Sequence, residues 1–185
     1  MKYKYIVSFP VPQPYRRRIE KLMAIAAACS GIPSPATKLR PHITFHRPIE
    51  NIDEETIKRV VQSIVLQIRQ TRITVSGFHA FGKEYIVLPV HGTVEVAYLW
   101  TGILKLLSAV PEYVHGTFDH DNTLHITIAE KITPVFDTVW PLLQAQPFES
   151  MTIPVKKIAI DRKLIGVDGS SWERVKEYSI PKRKK

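Results

Sequence analysis

Two short runs pair a histidine with a threonine at the spacing that sets both on one side of a strand: His42-Ile43-Thr44-Phe45 and His125-Ile126-Thr127-Ile128. In extended backbone, residues i and i+2 share a face about 6.5–7 Å apart. His42 and Thr44 therefore point one way, and Ile43 and Phe45 point into an apolar layer. His125 and Thr127 repeat the arrangement against Ile126 and Ile128. Two imidazoles with an ordinary pKa of about 6.5 can divide labour at neutral pH, one neutral as base and one protonated as acid. Threonine hydroxyls can donate to the non-bridging oxygens of a phosphate without adding charge. Such a set suits in-line attack on a phosphodiester, above all a strained cyclic one whose leaving oxygen needs only a proton.

His-x-Thr alone is a weak pattern. Seven histidines and thirteen threonines in 185 residues predict about 0.5 such triplets by chance, and this chain has four. His91-Gly92-Thr93 and His115-Gly116-Thr117 carry a central glycine, which weakens a strand. The first falls where a strand meets a helix and the second in the polar loop 112–122, so both read as coincidental. His115, His120 and His125 are spaced by five, which fits neither a helix face nor one side of a strand, so a zinc site is not expected.

The elements that must position the two good triplets occur twice. Lys4-Tyr5-Ile6-Val7 returns as Glu84-Tyr85-Ile86-Val87, and each run leads to a proline, Pro10 or Pro89. Helix-period stretches follow at 14–30 and 94–110, the first ending at Gly31-Ile32-Pro33 and the second at Pro111. After each comes a loop and then the His-Ile-Thr strand. Ile49 and Ile52 stand seven and ten residues beyond His42, and Ile132 and Val135 stand at the same offsets from His125. Second helices are expected at 54–68, behind an Asn51/Glu54 capping pair, and at 134–144. Each half closes with alternating strands, 73–78 and 151–160, and hairpins turn at Gly82-Lys83 and Asp168-Gly169-Ser170. Each half thus reads strand, helix, strand, helix, strand. The expected fold is α+β: one bilobal domain over 1–185, with two antiparallel sheets facing a central cleft and helices outside. Repeat halves run roughly 1–80 and 81–180, followed by a basic tail, 181–185.

Both complete triplets, one per half, together with Tyr3-Lys4-Tyr5-Ile6-Val7-Ser8-Phe9-Pro10 and Arg40-Pro41-His42, resemble the 2H phosphoesterase superfamily. That group includes the LigT-like RNA 2′,3′-cyclic phosphodiesterases, also described as 2′-5′ RNA ligases. The resemblance covers nearly the whole chain. It implies metal-independent opening of a 2′,3′-cyclic phosphate to leave a 2′-phosphate, reversible 2′-5′ ligation in some members, and no cofactor. His42, Thr44, His125 and Thr127 inherit the catalytic and phosphate-holding roles by motif match. Members often carry an arginine soon after the second motif, where this chain reads Ala129-Glu130-Lys131, and position 46 is here a histidine.

Arg40 and His46 share the parity of His42 and are expected to extend the phosphate pocket, with Lys131 as the analogous cation of the second site. Tyr113 and Phe118, in the loop before His125, are expected to stack on a base. The 26 Lys+Arg against 17 Asp+Glu give a net charge of +9, which favours polyanionic partners: RNA ends or small cyclic nucleotides. Cys29 is the one cysteine, so no intrachain disulfide is possible. No apolar run is long enough for a signal peptide or a membrane span, which makes a cytoplasmic monomer the expectation. The alternative is a non-catalytic RNA- or nucleotide-binding module that keeps the fold.

Overall fold

The computed structural model describes residues 2–33, 40–44, 48–92, 94–109 and 124–182. The chain runs β1 (Tyr3–Pro10), α1 (Tyr15–Ser30), β2 (His42–Thr44), β3 (Ile49–Glu50), α2 (Glu54–Gln67), β4 (Thr71–Val75), β5 (His79–Phe81), β6 (Tyr85–His91) and α3 (Val94–Ser108). It continues through β7 (His125–Glu130), a 3₁₀ turn (Thr133–Val135), α4 (Phe136–Gln144), β8 (Met151–Val155), β9 (Lys157–Leu164) and β10 (Glu173–Ser179).

Local chemistry explains the helix ends. α1 buries Ile19, Leu22, Met23 and Ala26, spaced 3, 4 and 7 apart, and stops at Gly31, whose left-handed φ of +67° returns its N–H to the Ala27 carbonyl. α2 is capped by Asp53, which accepts from Thr56 N at 2.8 Å, with Glu54 and Glu55 in the positive first turn. The Asn51/Glu54 box does not form. Asn51 takes a left-handed φ of +59°, a conformation asparagine tolerates better than most residues, and the shorter-range Asp53 claims the orphan N–H.

The strands build two antiparallel sheets in a single domain, ordered β10-β9-β1-β2 with β3 beside β1, and β5-β6-β4-β8 with β7 beside β6. The sheets do not divide the chain at residue 80. β4 and β5 of the first half join β6 and β8, while β9 and β10 of the second half join β1. The reason is partly local: β5 runs into β6 through the tight turn at Gly82, φ +57°, and an antiparallel hairpin is the easiest pairing a strand can make. β2 and β7 lie against each other where the sheets meet.

The core cluster holds Tyr5, Val7 and Phe9 of β1, Ile43, Ile86 and Leu88 of β6, Ile126, Ile128, Ile158 and Ile160, together with the buried stripes of the helices. Ile6, Val87 and Ala159 are also buried but lie outside that cluster. They mark the other face of the same strands, the inner face that carries Ser8, His42 and Thr44. α1 packs on α4 and β7, and α2 on α3, β9 and β10. No helix of the described residues is long and apolar enough to cross a membrane.

Candidate active site

Register explains how two distant triplets come to one place. In the first sheet His42 stands opposite Pro10 and Thr44 opposite Ser8; in the second, His125 stands opposite Pro89 and Thr127 opposite Val87. The structural repeat is thus anchored on the prolines, an offset of 79, and not on the Tyr-Ile-Val likeness, which is offset by 80. Tyr5 and Tyr85 consequently face opposite ways: Tyr5 is in the core, whereas Tyr85 pairs with Phe81 and Glu130 on the inner face. A bulge in β7 sets Ile128 between two ladder positions, so Ile128 and Ala129 are consecutively buried while His125 and Thr127 keep the inner face.

His42, Thr44, His125 and Thr127 are each half-buried, on strands that touch. The His42 ring is oriented by a 2.8 Å hydrogen bond between Nδ1 and the Arg40 carbonyl. A carbonyl can only accept, so Nδ1 carries the proton and the neutral ring keeps its lone pair on Nε2. Burial pushes the His42 imidazole below its ordinary value. The Arg40 hydrogen bond and the Asp161 carboxylate act against that fall, and the charges of Arg174 and His125 deepen it. His42 and His125 are thus close enough to feel each other's charge. The His125 ring meets the edge of Phe81, centroids 5.2 Å apart at 75°, and Phe81 in turn meets His79 at 5.2 Å.

Among the other expected residues, Arg40 contributes its carbonyl to His42 while its side chain is exposed. Lys131 is exposed on a left-handed residue just past β7, at φ +58°. His46, Tyr113 and Phe118 lie outside the described residues, as do His115, Thr117 and Thr93 of the two glycine-centred triplets. His91 shares the inner-face parity of Pro89 and holds Ser76 Oγ at 2.9 Å through Nε2.

Sequence reasoning missed the inner face contributed by distant strands. His79 stands opposite Val87 and thus in the row of Thr127, and Phe81 reaches His125. At the matching place in the first sheet, Asp161 stands opposite Ile6, 1% exposed, its Oδ1 accepting from Arg174 Nε at 2.6 Å. Ser8 Oγ and Asp161 Oδ2 are buried without a hydrogen-bond partner. One lobe therefore faces the site with an ion pair and the other with aromatic rings, which breaks the symmetry of the duplicated motif. A signal was present in the strand parity of Phe81 and Asp161, but only once their neighbours were known.

No curated protein sequence matches the chain significantly. Among solved structures, TT0787 of Thermus thermophilus is similar over 100% of both chains, with a TM-score of 0.68 at 15% identity. Escherichia coli LigT complexed with 3′-AMP is similar over 97% of this chain and 99% of its own, at 0.66 and 11%. A third, described as a phosphoesterase, covers 97% and 99% at 0.63 and 11%. At these identities the likeness speaks for the fold. The family model for the 2′-5′ RNA ligase superfamily matches residues 10–161, the span from the end of β1 into β9 that holds both His-Ile-Thr strands. With that match the chain belongs to the 2′-5′ RNA ligase superfamily, among the 2H phosphoesterases.

Proposed function

We propose that this protein is a metal-independent phosphodiesterase that opens 2′,3′-cyclic phosphates on RNA ends or small cyclic nucleotides. The observation that carries the reading is the convergence of two His-Thr pairs on touching strands, with His42 held neutral and its Nε2 lone pair available. In this reading Nε2 of His42 takes a proton from water as the water oxygen bonds to phosphorus. The bond from phosphorus to the 3′ oxygen breaks, and protonated His125 gives its proton to that oxygen, leaving a 2′-phosphate and a free 3′ hydroxyl. Thr44 and Thr127 donate to the non-bridging oxygens as charge builds there. A 5′ hydroxyl in place of water, attacking under the same two histidines, gives the 2′-5′ ligation of the superfamily's name. LigT, which shares the fold, has been crystallised with 3′-AMP and with ATP, which supports a nucleotide-sized occupant.

The test is incubation with adenosine 2′,3′-cyclic phosphate, with and without EDTA, and identification of the products by ³¹P NMR. A 2′-phosphate formed equally in EDTA is expected. Loss of activity in EDTA, restored by one specific metal, sinks the mechanism. Binding of the nucleotide without turnover points instead to a non-catalytic module.

A further inference from the structure

The inner face of the first sheet continues past the site as a strip of cations that the two His-Thr pairs do not use. Its rows follow from register. Thr44, Ser8, Ala159 and Glu177 form one row across β2, β1, β9 and β10; Ile6, Asp161 and Arg174 form the next; Lys4 and Lys163, directly opposite each other, form the third. Successive rows on one face are about 7 Å apart. Their common parity is fixed by Tyr5, Val7, Ile158 and Ile160, which take the opposite, core face.

Arg174 is held in place from two sides. Its Nε donates to buried Asp161, and its Nη1 donates to Glu177 at 2.9 Å. Glu177 also takes Lys157 Nζ at 2.6 Å. The guanidinium is one-third exposed, with its remaining N–H groups outside those bonds. Lying over β9, it is on the order of 10 Å from Thr44, too far for the phosphate between His42 and His125.

The third row is the informative one. Like charges directly opposite across an antiparallel pair are destabilising, yet Lys4 and Lys163 face each other half-buried, and neither carries an ion pair among the described residues. Glu50 stands on the other side of Lys4 without bonding to it. A fold that keeps such an opposition on its inner face is suited to an anion laid across it.

We infer that Arg174, Lys163 and Lys4 form a phosphate track for the chain upstream of the reacting end, so that the favoured substrate is the terminus of an oligonucleotide and not a free cyclic nucleotide. The reacting phosphate occupies the Thr44 row, the next phosphate of the chain meets Arg174, and the following one meets the lysine pair. One row per nucleotide of an extended strand accounts for the order. The inference rests on the reading of the site given above and adds the length of the substrate.

The experiment compares wild type with K4Q/K163Q, a pair of changes that removes a like-charge opposition and leaves the core alone. Binding of a single-stranded RNA pentamer is measured by fluorescence anisotropy from 50 to 200 mM salt, alongside competition by AMP. Turnover is compared for adenosine 2′,3′-cyclic phosphate and a pentamer ending in that group. The track predicts that wild type favours the pentamer at least tenfold in kcat/KM, that the double variant lowers this ratio about tenfold through KM, and that its log–log salt slope is shallower by about 1.4, some 0.7 per lost phosphate contact. Ring opening with no preference for the longer substrate, or a preference that survives K4Q/K163Q, overturns the track and leaves the proposed activity standing. Length-dependent binding lost in the variant, with neither substrate opened, supports the track and overturns the activity.

Discussion

Replacing His42 by alanine tests the acid–base pairing directly, because the structure separates its chemical cost from its folding cost. The side chain is half-buried on the inner face, and its neighbour Ile43, 1% exposed, is the residue that anchors β2 in the core. Removal of the ring leaves that anchor in place, so we expect a stability change within about 1 kcal/mol. The chemical cost is larger. Loss of a positioned acid or base lowers the rate by about 10²–10⁴, which is about 2.7–5.5 kcal/mol on the barrier. His125→Ala is expected to cost a similar factor. The double variant is expected to cost little more than either single one, because a proton taken without one given leaves the displacement stalled. Independent contributions would instead multiply to about 10⁴–10⁸. The assay is steady-state hydrolysis of adenosine 2′,3′-cyclic phosphate, with thermal melts of every variant. Multiplicative losses, or a His91→Ala variant as damaged as His42→Ala, would show that the wrong groups have been paired.

The acid limb of kcat/KM is expected below the ordinary imidazole range near pH 6.5, because burial depresses His42 and the base must be neutral. Asp161→Asn should move that limb to still lower pH and Arg174→Gln should move it upward, since the carboxylate raises and the guanidinium lowers the same group; limbs that shift the other way refute the placement. The same depression has a sign for folding. Below about pH 6.5 the unfolded chain binds a proton that buried His42 resists, so stability falls with pH until the folded value is passed, and His42→Gln should flatten that part of a denaturation–pH profile. Asp53→Ala removes the cap of α2 and is expected to cost about 1 kcal/mol, some 2–4 °C in Tm, with kcat/KM unchanged. Phe81→Ala should lower kcat with the melt nearly preserved, because half-buried Phe81 packs against the His125 ring more than into the core; a loss confined to stability refutes that role.

Much of the site was legible in the sequence because strand parity is a local property. A histidine and a threonine two residues apart with isoleucine between them share a face wherever the strand goes, and the glycine-centred triplets lack that guarantee. The repeated order of elements was legible for the same reason, since 3.6- and 2-residue periods are written within each segment. What needed tertiary structure was every relation between segments. The two halves exchange their last strands, so Asp161, Lys163 and Arg174, more than a hundred residues beyond His42, join its sheet, while His79 and Phe81 cross to the sheet of His125. The tyrosine likeness at an offset of 80 pointed to one register and the prolines opposite the histidines set another, at 79. A one-residue difference reverses the face of every side chain, and no local pattern reports it. Local spacing was enough to say which groups can do the chemistry. The pairing of distant strands settled which charges and rings surround them, because register is chosen by the packing of whole faces and not by any one segment.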